Sequence, residues 1–176
     1  DYARYHGPWS FFWEPAGLEK AGPMLKSLDK AEPDNPKTKG IDDCYMLGGA
    51  LLVAPVVVQG ATQRYVYLPA GQWYNYWGNH LSSGSQFIAV DAPLKALPIF
   101  VQAGTVLPLQ QDQENGNESN QTLVYRVYPG DQETVLYEDD TDEFDKERSE
   151  YRWIYITCGW EDGKLVINRR IAGQYV

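Results

Sequence analysis

The chain has 176 residues and a formal net charge of −9, with 24 acidic against 15 basic side chains. A protein that binds nucleic acid concentrates Lys and Arg on one surface to neutralise phosphates. This sequence has no basic cluster, so nucleic acid is excluded as a partner. No apolar run approaches the about 20 residues that a helix needs to cross a bilayer, so we expect no membrane partner either.

The chain contains two cysteines, Cys44 and Cys158. Two are too few for a disulfide framework or a four-ligand zinc site, so we predict a pair of buried thiols. A bridge between them would need Cα atoms within about 7 Å, a separation that sequence alone does not set. The redox compartment and the cellular location therefore stay open.

Residues 1–20 show neither a helical nor a strand period, and they open on Asp1 rather than on Met. This aromatic-rich start lacks the charged and apolar regions of a signal peptide. We interpret the chain as a fragment or a processed piece of a longer protein.

Apolar runs closed by Pro or Gly dominate residues 45–109 and predict short strands separated by tight turns. The runs are Leu51–Val58, Tyr65–Leu68 and Ile99–Leu107. The first is a continuous apolar run interrupted by Pro55, and it predicts a strand that is buried on both faces with an edge or bulge at the proline. The second is followed by a Pro-Ala-Gly turn, and Gln72–Gly78 is predicted to return beside it as the partner strand of a hairpin.

The second half of the chain begins with a polar segment, residues 110–121, that has the composition of a linker. Strand patterns then resume. The predicted strands are Leu123–Tyr128, Glu133–Tyr137, Tyr151–Cys158 and Leu165–Ile171.

Acidic residues cluster at two places. Asp42 and Asp43 are adjacent and precede a strand, where a turn or cap role is favoured over a metal site, because metal ligands come at alternating spacing. The loop Glu138–Asp145 could supply calcium with oxygen ligands from Asp140, Asp142 and Glu143. The favoured interpretation is a solvated loop, because the EF-hand glycine and bidentate Glu are missing. We predict no metal site and no cofactor.

Three segments occur in the order MLGGALLVAPV, YLPAGQWYNYW and APLKALPIFVQAGTVLPL. This series resembles the C-terminal part of glycoside hydrolase family 31, whose members are mostly α-glucosidases and α-xylosidases. The resemblance implies a mainly β fold: an antiparallel β-sandwich, the proximal C-terminal domain, at residues 41–109. It further implies a remnant of a (β/α)8 catalytic barrel at residues 1–40, a linker at residues 110–121 and the start of a distal C-terminal β-domain at residues 122–176.

The N-terminal segment Tyr2-Ala3-Arg4-Tyr5-His6 is similar to the aromatic-x-Arg-x-His segment of this family. The resemblance implies that His6, with Arg4 beside it, binds the sugar. A neutral imidazole suits that role, because it donates to one hydroxyl group and accepts from another. The alternative is a surface histidine in a frayed terminus.

The stretch between this segment and Gly22-Pro23-Met24 is too short for the family pattern. It consists of Phe11–Ala21, whereas a barrel helix with its flanks takes on the order of 30 residues. Either the last barrel helix is missing, or the N-terminal stretch is not a barrel piece.

Glycoside cleavage needs two facing carboxyl groups, roughly 5–5.5 Å apart for retention and 6.5–9.5 Å apart for inversion. The resemblance implies a nucleophile in a Trp-x-Asp-Met-x-Glu segment and an acid in a later barrel loop, and the sequence contains neither motif. Glu14, Asp42 and Asp43 are the carboxylates in or next to the barrel-like region that could be considered for catalysis, and none lies in a matching motif. We therefore predict no catalytic residue in this chain.

Three functions remain open. The first is the scaffold of a family 31 enzyme that hydrolyses terminal α-glucosidic bonds, inactive alone, whose partners are the missing catalytic barrel and, through the full enzyme, an α-glucoside or oligosaccharide substrate. The second is a free-standing carbohydrate-binding module that uses Trp73, Tyr74, Tyr76 or Trp77 as a stacking platform. The third is a structural domain without a ligand.

Overall fold

The computed structural model describes residues 25–110, 123–139 and 151–173. The strands are β1 (Leu25–Ser27), β2 (Tyr45–Leu47), β3 (Leu51–Val53), β4 (Gln63–Leu68), β5 (Gln72–Asn75), β6 (Leu81–Ser83), β7 (Gln86–Asp91), β8 (Ile99–Gln102), β9 (Val106–Gln110), β10 (Leu123–Val127), β11 (Glu133–Asp139), β12 (Tyr151–Glu161) and β13 (Lys164–Gly173). The helices are α1 (Leu28–Ala31) and a 3-10 helix (Pro36–Thr38). None of the described helices is long and apolar enough to cross a membrane.

The described residues divide into two compact units between Ala103 and Gly104. The first unit holds β1 to β8 with both helices, and the second holds β9 to β13. Every strand pairing in both units is antiparallel. The mainly β, antiparallel fold is therefore confirmed.

The larger layer of the first unit is a six-stranded sheet in the order β1-β2-β3-β8-β5-β6. Its register places Met46 opposite Leu52 and Leu52 opposite Phe100. These three side chains lie in one row across the sheet, and all are buried. The row supplies the sheet's contribution to the core.

The second layer of this unit is the pair β4 and β7. Val66 and Leu68 on β4 and Val90 on β7 join the same buried cluster as Trp73 of the larger sheet. Two sheets that share one apolar core form a sandwich. The predicted β-sandwich is thus confirmed.

The predicted hairpin of β4 with Gln72–Gly78 is wrong. β4 pairs with β7, and β5 pairs with β6 and β8. The turn between the two strands carries the chain from one layer of the sandwich to the other. The residues between β6 and β7 hold this turn in place. Ser85 N–H donates to the Pro69 carbonyl at 3.2 Å, and Gly84 N–H donates to the Gly71 carbonyl at 2.7 Å.

The predicted strand Leu51–Val58 is also wrong beyond Val53. Leu51, Leu52 and Val53 are buried, as expected, but Val57 and Val58 are exposed. The ladder with β8 ends at the pair Val53 and Ile99. Pro55 lies two residues after Val53, and Pro98 lies directly before Ile99. Proline has no N–H to continue a ladder.

The run Ile99–Leu107 is two strands rather than one. Gly104, between β8 and β9, has φ +93, and a Cβ atom there would lie 2.5 Å from the backbone nitrogen of Gln132. Its N–H donates to the Tyr128 carbonyl at 2.7 Å. A glycine is required at this point, because the chain both adopts a left-handed conformation and approaches another backbone closely.

The second unit stacks the pair β9 and β10 on the sheet β11-β12-β13. Its core is formed by Val106, Leu136, Ile154, Ile156 and Cys158. All four strands that alternation predicted for residues 122–176 are present, with ends shifted by a few residues.

The first unit includes residues N-terminal to the predicted boundary at residue 41. β1 pairs with β2 along its whole length, and Leu28 of α1 belongs to the core cluster. The domain boundaries proposed from sequence stay predictions. Residues 1–24 of the proposed barrel remnant and residues 111–121 of the proposed linker lie outside the described residues.

Gly84→Ala should destabilise the first unit strongly. A Cβ atom at Gly84 would lie 1.8 Å from the Pro69 carbonyl oxygen and 2.9 Å from the Gly71 carbonyl oxygen, so the crossover between the layers must move. Overpacking of this kind costs about 1–3 kcal/mol or more. The matched control is Gly49→Ala, because nothing lies within 4 Å of its Cβ position. Urea unfolding followed by circular dichroism should show a lower midpoint for the first variant alone, and equal midpoints would contradict the crossover geometry.

Candidate functional site

The predicted sugar-binding residues His6 and Arg4 lie outside the described residues, as does Glu14. Their role stays a prediction. Two other segments that the sequence indicated lie within the described residues. They are the adjacent aspartates before β2 and the aromatic segment that begins in β5.

Asp43 is held in an ion pair with Arg64 of β4. Its Oδ2 atom lies 2.7 Å from the Arg64 Nη2 atom, and the guanidinium is only 9% exposed. The same guanidinium donates to the carbonyl oxygens of Asp43 and Pro55. The turn or cap role of Asp43 stays a prediction, and the ion pair adds a link from the segment before β2 to β4.

Both cysteines are free and buried, as predicted. Burial raises the pKa of the Cys44 thiol to about 12, and the neighbouring Asp43 carboxylate adds to the effect. Burial also raises the pKa of Cys158. A thiol that stays protonated is a poor nucleophile and a poor metal ligand, so both are structural.

Trp73 belongs to the core rather than to a binding surface. It is 1% exposed, and its Nε1–H donates to the Pro69 carbonyl at 2.9 Å. Tyr74 and Tyr76 are half-buried. The structure therefore removes Trp73 from the proposed stacking platform.

Trp77 differs from the other aromatic residues of this segment because its side chain is 56% exposed. Its position is nevertheless fixed: Nε1–H donates to the Leu97 carbonyl at 2.6 Å. Its ring meets the Tyr76 ring edge-on, with 4.9 Å between centroids. His80, three residues later, is exposed.

The described residues contain no group of three or more His, Cys, Asp or Glu side chains able to hold a metal ion. Glu138, the first residue of the acidic loop, accepts a hydrogen bond from Arg152 Nε at 2.6 Å. The calcium candidates Asp140, Asp142 and Glu143 lie beyond the described part of the chain.

Sequence reasoning missed Arg64 and Asn75. Asn75 Oδ1 accepts the N–H groups of Trp77 and Gly78 at 2.9 and 3.0 Å. An Asn before a Gly-containing turn is a readable signal for such a role. Arg64 offers no such signal, because its partner Asp43 lies 21 positions away along the chain.

The sandwich with its buried aromatic core and its ion-paired aspartate defines a structural β-domain. Residues 21–107 match the sequence profile described as Glycosyl hydrolase family 31 C-terminal domain. The chain therefore contains this C-terminal part and belongs to glycoside hydrolase family 31.

Named relatives agree with this assignment. The chain is 29% identical to alpha-glucosidase 2 of Bacillus thermoamyloliquefaciens, over 89% of this chain and 20% of the relative. It is 33% identical to the alpha-xylosidase of Saccharolobus solfataricus, over 78% of this chain and 19% of the relative. The chain thus spans about a fifth of the length of these relatives.

Among solved structures, the chain is similar to a family 31 dextranase of Flavobacterium johnsoniae in complex with glucose. The TM-score is 0.72 at 32% identity, over 82% of this chain and 19% of the dextranase. A mutant of the same dextranase has been solved with isomaltotriose.

Cys44 should remain a thiol in the folded protein at pH values where a free cysteine ionises. Cys158→Ala leaves Cys44 as the one remaining cysteine, and its ultraviolet thiolate absorbance can be followed against pH. The unfolded chain should ionise near its ordinary value of 9.0, and the folded chain near 12. Because the folded pKa is raised, the free energy of unfolding should fall as pH rises through that interval. Thiolate absorbance that appears near pH 9 in the folded chain would contradict this assignment.

Proposed function

We propose that this chain is the scaffold region of an enzyme that hydrolyses terminal α-glucosidic bonds. The observation that carries the proposal is the burial of Trp73, together with the family match over residues 21–107. Trp73, the first aromatic residue of this segment, lies in the sandwich core, where it stabilises the domain rather than binds a ligand.

The catalytic carboxyl pair is supplied by sequence outside this chain. Neither family motif for the acid or the nucleophile occurs in the sequence, and Asp43 is engaged in an ion pair with Arg64 at 2.7 Å. The similarity to an alpha-glucosidase and an alpha-xylosidase supports an α-glycoside or oligosaccharide as substrate of the complete protein. Its remaining partner is the catalytic barrel.

The N-terminal segment is proposed to contribute to the sugar site through His6, with Arg4 beside it. A neutral imidazole adds donor and acceptor capacity without adding charge. Residues 1–40, 41–109, 110–121 and 122–176 are proposed as the end of the barrel, the proximal sandwich, a linker and the start of the distal β-domain.

A sandwich swap tests the scaffold role. Residues 21–107 would replace the matching region of alpha-glucosidase 2 of Bacillus thermoamyloliquefaciens, and hydrolysis of an aryl α-glucoside would be measured. The swapped enzyme should be active, and this chain alone should show no turnover.

Trp73→Ala in the swapped enzyme should lower its stability by about 3–5 kcal/mol. The kcat/KM of the folded variant at low temperature should stay within about twofold of the value before the substitution.

Tyr65→Ala is the control for that variant, because Tyr65 is an aromatic residue with 74% exposure, and it should change neither property. A fall in kcat/KM without a loss of stability in Trp73→Ala would contradict a purely structural role. So would turnover by this chain alone.

His6 should act on the sugar rather than on the fold. In the same relative, with Asp1–Gly7 replacing its matching segment, His6→Ala should lower kcat/KM about tenfold or more, as expected for one lost hydrogen bond of about 1.4 kcal/mol. His6→Gln should recover part of the loss, because an amide also donates and accepts. Unchanged kcat/KM in His6→Ala would remove His6 from the sugar site.

A further inference from the structure

The segment Asn75–His80, called the Trp77 loop below, is a closed turn. Asn75 N–H donates to the His80 carbonyl at 2.8 Å, and Asn79 N–H donates to the Asn75 carbonyl at 2.9 Å. Inside the turn, Asn75 Oδ1 accepts the N–H groups of Trp77 and Gly78. Asn79 takes the left-handed conformation, with φ 55, that closes the turn. The loop backbone is therefore fixed by its own hydrogen bonds.

The indole of Trp77 is fixed as well, yet it remains on the surface. Its N–H donates to the Leu97 carbonyl, and its ring and the Tyr76 ring form a T-shaped pair at an interplanar angle of 85°. The 56% of the side chain that is exposed therefore offers ring carbon atoms to solvent. An aromatic face held in advance loses little conformational entropy when a ligand stacks on it.

The loop that carries this indole has neutral and polar neighbours of Trp77 in sequence. The Trp77 loop contains no Asp, Glu, Lys or Arg. The imidazole of His80 lies beside the turn, with its Cδ2 atom 3.1 Å from the position of a Cβ atom on Gly78. Such surroundings favour an uncharged ligand that combines an apolar face with hydroxyl groups.

A pyranose ring has these properties, because its axial C–H bonds form an apolar face and its hydroxyl groups project from the rim. We propose that Trp77 is the stacking residue of a second sugar-binding site, on the surface of the proximal sandwich, for neutral gluco-oligosaccharides. His80 supplies a polar group at the edge of this site. The site goes beyond the scaffold role, because it needs no part of the catalytic barrel.

The competing occupant is another protein surface. Leu94 and Leu97 are also exposed, and apolar residues on a surface can mark a protein interface. A stable protein contact requires about 800 Å² per partner, whereas one indole face matches one sugar ring. The single rigid ring beside neutral polar groups favours the sugar.

Binding can be measured on this chain alone with isomaltotriose and maltotriose as probes. The indole N–H signals in ¹H–¹⁵N spectra would be recorded during titration. The Trp77 signal should shift with a dissociation constant in the millimolar range, typical of a binding free energy of about −4 kcal/mol. The Trp160 signal should stay unchanged. Trp160 is a matched reference, because it is a tryptophan with 64% exposure in the other unit.

Variants give a second readout through retardation on native gels that contain dextran. Trp77→Ala should weaken retention about tenfold, which corresponds to about 1.4 kcal/mol, and Trp160→Ala should match the unaltered chain. Absence of a Trp77 shift in the unaltered chain would overturn the proposal without any variant. A Trp77→Ala effect on self-association alone, with sugar retention unchanged, would assign the surface to a protein partner and would also overturn it.

Discussion

The hydrogen bond from the Trp73 indole to the Pro69 carbonyl, 2.9 Å long, lies at the point on which the sandwich depends. Pro69 opens the crossover that takes the chain out of β4 and into β5 of the other sheet, and Trp73 is the first large side chain after it. The indole fills the core between the layers, and its one polar atom is satisfied by the crossover backbone. Burial of so large a ring is favourable because its donor has a partner.

The same crossover is supported from two sides. Gly84 and Ser85 donate to its carbonyl groups, and Glu32 Oε1 accepts the N–H of Ala70 at 2.6 Å. The segment that follows β1 is thereby tied to the centre of the sandwich. Residues 25–40, which precede the predicted sandwich boundary at residue 41, thus belong to the same folded unit.

The pattern of apolar residues was sufficient to predict the strands of the second unit, although β10 and β13 are largely exposed and its buried core comes from β9, β11 and β12. It was insufficient for the pairing of β4. A Pro-Ala-Gly turn has the local features of a hairpin turn, whereas the actual partner, β7, is selected by contacts of Gly84 and Ser85 that sequence spacing does not reveal. The end of β3 at Val53 was readable in principle, since prolines lie near the end of both paired strands.

In the candidate site as well, local features were predictable from sequence and long-range contacts were not. The buried thiols followed from composition, whereas the Asp43–Arg64 ion pair depends on a contact between segments distant along the chain. This ion pair joins the segment before β2 to β4 of the second layer. The sugar role of His6 and Arg4 rests on a five-residue resemblance and stays a prediction.

The central claim is that the chain stabilises a glycoside-cleaving enzyme without containing its nucleophile. The most direct test is to incubate the purified chain with a fluorinated α-glucosyl fluoride, which traps the covalent glycosyl intermediate of retaining enzymes, and to record the intact mass. The account predicts an unchanged mass for this chain and a labelled control in alpha-glucosidase 2 of Bacillus thermoamyloliquefaciens. A sugar adduct that maps to Glu14, Asp42 or Asp43 would contradict it.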